Sequence, residues 1–113
     1  MAGPGGKPGR LKKRAEFLAV AGRGRKHGRG SLLVQVLPQG QALRVGFTAT
    51  KKLGNAVVRN RAKRRMRAAA RAELATTTGH DIVLVAREAI RLNSFAELRA
   101  DLRAALDKLG VAR

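Results

Sequence analysis

Residues 51–71, KKLGNAVVRNRAKRRMRAAAR, hold nine basic residues and no acid. Such a segment folds as a helix only if its few apolar residues fall on one side. They do: Val58, Ala62, Met66 and Ala69 recur at helical spacing, with Asn60, Lys63, Arg64, Arg67 and Arg71 opposite. Arg59, Arg61 and Arg65 flank the apolar stripe. Gly54 and Asn55 predict the helix start, with Asn55 as N-cap, and the helix runs to about residue 75. Unneutralised like charges on a helix repel one another. A phosphate backbone outside the chain relieves that repulsion efficiently. Arginine dominates over lysine, which favours bidentate contacts to phosphates and bases. The free N–H groups at the helix start add a further anion site. The plain alternative is a solvated basic face, which the acid-free length disfavours.

The rest of the chain sharpens this. Residues 1–71 hold 19 basic residues against Glu16 alone, while residues 72–113 hold six of each sign, so the whole +18 net charge sits in the first part. Solubility needs no such segregation, but a positive surface facing a polyanion does. Nucleic acid is the leading partner and an anionic membrane surface the second. The 113 residues suit one domain, expected over residues 10–113 behind a flexible Gly/Pro tail, MAGPGGKPG, at 1–9. With no cysteine there is no disulfide, thiolate metal site or cysteine nucleophile. No apolar run approaches the roughly 20 residues of a membrane span, so a soluble, cytoplasmic protein is expected.

A first helix is expected over residues 11–21, with Leu11, Ala15 and Leu18 as its core stripe and Phe17 and Val20 off it. Residues 22–30, GRGRKHGRG, suggest a Gly-rich basic loop. Strands are expected at 32–37 and 43–50, the second alternating Leu43, Val45, Phe47 and Ala49 with Arg44, Gly46, Thr48 and Thr50. The turn at Pro38 and Gly40 predicts an antiparallel hairpin between them. Residues 82–86 predict a strand covered on both faces. The last helix opens with a Ser94–Glu97 capping box and buries Phe95, Leu98, Leu102 and Leu109. No catalytic constellation is evident. His27 suits a solvated or phosphate-contacting role, His80 a turn, and Asp81 and Glu88 structural roles. Seven scattered acids make no two-metal site.

The stretch at 45–67, VGFTATKKLGNAVVRNRAKRRMR, resembles the protein component of bacterial ribonuclease P. The pattern is carried by Lys51, Lys52, Gly54, Ala56, Lys63, Arg64 and Arg67 around an RNR core of Arg59, Asn60 and Arg61. A looser resemblance spans residues 11–106. It implies an α/β (α+β) two-layer sandwich of the ribosomal protein S5 domain 2-like type. The sheet is mixed, usually of four strands, with the basic helix in a left-handed βαβ crossover. Three strands are clear in the sequence, so a further one is expected around residues 29–42.

The resemblance also implies the subunit of an endoribonuclease whose catalytic centre lies in an RNA partner. That RNA, with Mg2+ bound mainly by itself, removes the 5′ leader of precursor tRNA. The implied partners are the ribonuclease P catalytic RNA and precursor tRNA, with no membrane and no small-molecule cofactor. The implied RNA-binding residues are Lys51, Lys52, Asn55, Arg59, Asn60, Arg61, Lys63, Arg64, Arg67 and Arg71. Phe17, with Lys13 and Arg14, is the candidate leader-binding cleft; Ala21 and Gln35 or Val36 stand where the family often has further aromatics. No residue of the chain is expected to be catalytic. The alternatives are a structural RNA-binding protein such as a ribosomal component, and a nonspecific DNA-compacting protein. The first does not account for the long RNR match, and the second usually needs a long arm or a dimer interface, neither of which is evident.

Overall fold

Strand alternation at residues 43–50 organises one face of the sheet. Leu43 and Val45 are buried, and Phe47 and Ala49 pack against the same core. A computed structural model of the chain describes residues 9–112. In chain order its elements are β1 (Gly9–Arg10), α1 (Arg14–Arg23), β2 (Arg25–Arg29), β3 (Leu32–Pro38), β4 (Arg44–Thr48), α2 (Ala56–Glu73), β5 (His80–Ala86) and α3 (Phe95–Lys108). Short 3-10 turns lie at Lys51–Leu53 and Glu88–Arg91. The sheet is mixed, in the order β1-β4-β5-β3-β2.

The expected hairpin between residues 32–37 and 43–50 does not form. β5 lies between the two strands, antiparallel to β3 and parallel to β4. The reason is burial. Ile82 and Leu84 face one layer and Val83 faces the other, all almost fully buried, and only a central strand covers both sides. The chain therefore crosses from β4 through α2 to a parallel neighbour.

The Gly-rich segment at 22–30 is not a loop. Residues 25–29 form β2, antiparallel to β3 at the sheet's edge, with Gly30 turning at a φ of 45°. Charge and glycine argue against a central strand, but an edge strand has only one neighbour to satisfy and is protected by charge. The additional strands are thus β2 and the two-residue β1, and the expected window of 29–42 touches β2 only at Arg29. Most of the proposed tail lies outside the described residues. Gly9, however, is in β1, where its N–H donates to Leu43 O at 3.0 Å.

Helices α2 and α3 cover the face built from Leu32, Val34, Val36, Val45, Ile82 and Leu84. They form the expected two layers, and α1 adds a partial third on the other face, over Val83 and Val85. The stripe expected for α1 is reversed: Val20 is 1% exposed and Leu18 57%, Ala15 is exposed, and Phe17 is half-buried. The helix starts only at Arg14, so buried Leu11 lies in extended chain and does not set the helical register. In α3, Leu98, Leu102, Ala105, Leu106 and Leu109 are buried, but Phe95 is 41% exposed because it stands at the helix's first position.

The acids fasten these layers. Glu73 of α2 accepts from Arg99 Nε at 2.9 Å and Arg103 Nε at 3.0 Å on α3. Asp101 Oδ2 accepts from the Ser31 N–H and hydroxyl at 2.8 and 2.7 Å. Asp81 holds Arg44, which also reaches Glu16.

Candidate nucleic-acid interface

The start of α2 is built by Gly54 and Asn55. Gly54 has a φ of 152°, and a Cβ there would lie 3.0 Å from Val58 Cβ. The Asn55 side chain accepts from the Val58 N–H at 3.0 Å, the N-cap expected from the sequence. Lys51 and Lys52 are exposed on the turn just before. The 18 residues of α2 extend about 27 Å and end two residues short of the expected boundary.

Along this length the basic side chains divide into three rows. Asn60, Arg64 and Arg71 are exposed and point outward. Arg59, Lys63 and Arg67 recur every fourth residue on the flank toward β4, and all three are half-buried. On the other flank, Arg61 is exposed while Arg65 donates to the backbone carbonyls of Ile90 and Asn93. Among the described residues no acid pairs with any of these cations. The buried Nε atoms of Arg59 and Arg67 have no acceptor from those residues either. Lys63 and Arg67 therefore do not face outward with Arg64, as the helical wheel predicts, but turn toward the sheet edge.

They turn toward a cleft. Beyond residue 45, β4 has no strand beside it on that edge, because β1 pairs only with Arg44 and Val45. There α1 approaches from one face and α2 from the other. The resulting open cleft, about 360 Å³, is lined by Lys12, Arg14, Phe17, Phe47, Thr48 and Lys63, among others. Phe17 packs its inner side on the cluster of Leu11, Val20 and Val83 and lies over Gly46. It is thus part of a small core as well as a wall of the cleft, not the off-core residue the sequence predicts. The Arg67 guanidinium lies 5.6 Å from the Phe47 ring centroid, a cation–π distance.

Of the expected cleft residues, Phe17 and Arg14 line it. Lys13 is the exposed N-cap of α1 and is absent from the lining. Lys12, Phe47 and Lys63 join the cleft, and sequence reasoning places none of them there. The alternation of β4 carried the signal for Phe47, but as a core position. That the core ends at an open edge is visible only in the pairing.

Most of the acids are engaged elsewhere. Hydrogen bonds from Arg103 and then Arg99 hold the Glu73 carboxyl below its ordinary range, against the burial that raises it. Glu16 is also lowered, chiefly by the backbone N–H groups of Lys13 and Lys12 at 2.9 and 3.0 Å. Glu97 closes the capping box with Ser94. His80 Nδ1 lies 2.9 Å from Thr78 O in a turn, and half-buried His27 pairs with Val34 in β2. The described residues contain no group of three His, Cys, Asp or Glu side chains able to hold a metal ion.

Comparison with known proteins adds a second line of evidence. The family model for ribonuclease P matches residues 6–110. The ribonuclease P protein component of Gluconacetobacter diazotrophicus is 51% identical over 90% of this chain and 91% of its own length. That of Ruegeria pomeroyi is 47% identical over 88% and 84%. Among solved structures, the Staphylococcus aureus RNase P protein superimposes with a TM-score of 0.82 at 26% identity, covering 92% of this chain and 97% of that one. The Thermotoga maritima protein gives 0.74 at 28% identity, over 88% and 94%.

Proposed function

The chain belongs to the ribonuclease P protein family and is a subunit of that endoribonuclease; on that premise we propose that α2 binds the catalytic RNA while the cleft beside Phe17 holds the 5′ leader of precursor tRNA. One observation carries the division: Lys63, on the flank row with Arg59 and Arg67, lines one cleft with Phe17 and Phe47, and Arg67 lies over the Phe47 ring. A cationic track next to aromatic faces is the arrangement that holds a single strand without reading its sequence. Outward Asn60, Arg64 and Arg71, with Lys51 and Lys52, lie on the exposed ridge and suit phosphates of a structured RNA.

The chain then binds and orients, and the RNA performs the cleavage. Magnesium supplies charge neutralisation and an activated water in such a hydrolysis. The described residues do not fit a protein-held Mg2+ site: no three His, Cys, Asp or Glu side chains cluster there, and Glu73, Asp81, Asp101, Glu16 and Glu97 are each engaged by arginines, a serine or backbone N–H groups. We assign the ion to the RNA. No helix among the described residues is long and apolar enough to cross a membrane. We propose the cytoplasm as the place of work, as the reading of precursor tRNA as substrate suggests.

The test is reconstitution. Full-length protein added to the cognate catalytic RNA should lower the Mg2+ and RNA concentrations needed for leader removal from precursor tRNA. An RNA whose cleavage is unchanged by the protein would refute the reading.

A further inference from the structure

On the flank of α2 opposite the cleft lies a second concavity, about 520 Å³, between the helix and the 3-10 turn after β5. Its apolar lining is Val58, Ala62 and Ile90. Its cationic lining is Arg61, Arg65 and Arg91. We propose that this concavity receives one unstacked nucleotide of the catalytic RNA, its base on the apolar floor and its phosphate on Arg61 and Arg91. The inference rests on the reading that α2 faces that RNA.

Three features argue for a nucleotide. The volume is within the range of ligand pockets. A phosphate alone would need no apolar floor, and an apolar peptide would gain nothing from three guanidinium groups. A nucleotide uses both, and unpaired RNA bases are recognised by being splayed out onto such surfaces.

The pocket is also built to be rigid. Arg65 is tied to the carbonyls of Ile90 and Asn93 and so closes the back wall. The Asn93 amide donates to Ser31 Oγ at 2.8 Å, and Ser31 is held by Asp101, so the far side is anchored to β3 and α3. Arg61 is exposed, and among the described residues Arg91 reaches only the Leu53 carbonyl, at 3.3 Å. Exposed apolar side chains flank the pocket's lining residues in the chain. Leu92 is 90% exposed and Val57 is 74% exposed, and each adjoins a lining residue in the chain. An RNA base that enters the pocket would cover them.

The experiment uses the holoenzyme reconstituted from full-length protein and the cognate catalytic RNA. A photo-crosslinking amino acid replaces Leu92, and base-specific chemical probing follows the RNA with unmodified and Arg91→Ala protein. The expected crosslink is to one unpaired nucleotide, whose base is protected by the unmodified protein and released by Arg91→Ala. That variant should assemble about tenfold more weakly, the size of one lost charged contact to phosphate, without changing the ratio of affinities for precursor with and without leader. Arg91 is exposed, so circular dichroism should show the fold intact. Crosslinks spread along a duplex, crosslinks to a second protein chain, or unchanged protection in Arg91→Ala would overturn the proposal. A hydroxyl-radical footprint with stimulated leader removal, but no crosslink from residue 92, would overturn the pocket alone. Absence of both footprint and stimulation would overturn the RNA-facing reading of α2 with it.

Discussion

Phe17 rests on the bare backbone of Gly46, so closely that a Cβ at residue 46 would come within 2.6 Å of ring atom Cε1. The ring's inner side packs on Leu11, Val20 and Val83, and its position in the cleft follows from that seat. Gly46→Ala should push the ring off its seat. Overpacking of this kind costs about 1–3 kcal/mol, and the selectivity for leader-bearing over leader-free precursor should fall with it. Phe17→Ala should lose about 2 kcal/mol of stability, less than for a fully buried Phe, and about 1–3 kcal/mol of leader binding if one base stacks there. Thermal unfolding together with precursor affinity, with and without leader, measures both. A Gly46→Ala protein with unchanged selectivity would show that the ring's position does not matter.

The Glu73 clamp predicts acid sensitivity. Its carboxyl pKa is lowered in the folded protein from the ordinary 4.5, so it binds protons more weakly than in the unfolded chain. The stability it contributes is complete above the unfolded value and is lost as pH falls through the depressed folded value. Melting temperature should therefore drop below about pH 4.5. Glu73→Gln should cost about 2 kcal/mol at neutral pH by breaking charged hydrogen bonds to Arg99 and Arg103. The variant should also flatten the acid limb of a Tm–pH profile, and an unchanged limb would place the sensitivity elsewhere.

The parts legible in the sequence are those fixed by local rules. The Asn55 cap, the stripe of Val58, Ala62, Met66 and Ala69, and the Ser94–Glu97 capping box are contained within one helix each, and all are present. What needed the third dimension was misplaced. β5 enters between β3 and β4 from more than 30 residues away, which no turn signal near Pro38 encodes. β2 is a strand because the edge of β3 is free to pair, not because RKHGR favours extension. Leu11 misled the phase of α1 because it is buried without being helical. The candidate site divides the same way: the outward place of Asn60, Arg64 and Arg71 follows from the helical wheel, which wrongly adds Lys63 and Arg67, whereas the membership of Lys12, Phe47 and Lys63 in the cleft depends on where β4 loses its neighbour.

Binding to RNA should be strongly salt-dependent. If roughly six phosphates are neutralised, counterion release gives a slope of about −4 to −5 in log K against log salt. A filter-binding titration between 50 and 500 mM salt, on the order of one decade, reads it directly. A slope near zero would remove the electrostatic basis of the interface.

Arg64 and Lys63 are neighbours in sequence and should report on different RNAs. Arg64 is exposed on the outward ridge, while Lys63 is half-buried and lines the cleft with Phe17 and Phe47. Neither has an acid partner among the described residues, so neither substitution leaves a buried charge unpaired. Arg64→Ala should weaken assembly with the catalytic RNA by about 1 kcal/mol or more, the loss of one charged contact, equally for holoenzyme with and without leader. Lys63→Ala should leave assembly nearly unchanged. Losing one contact to a single-stranded phosphate removes about 0.7 from the salt slope, close to 1 kcal/mol per decade of salt, and here it should appear only with leader-bearing precursor. The decisive measurement is a two-by-two comparison of assembly and leader-dependent affinity for the two variants at two salt concentrations. If both variants weaken assembly alike and neither changes leader dependence, the ridge and the cleft are one surface, and the leader does not run past Lys63.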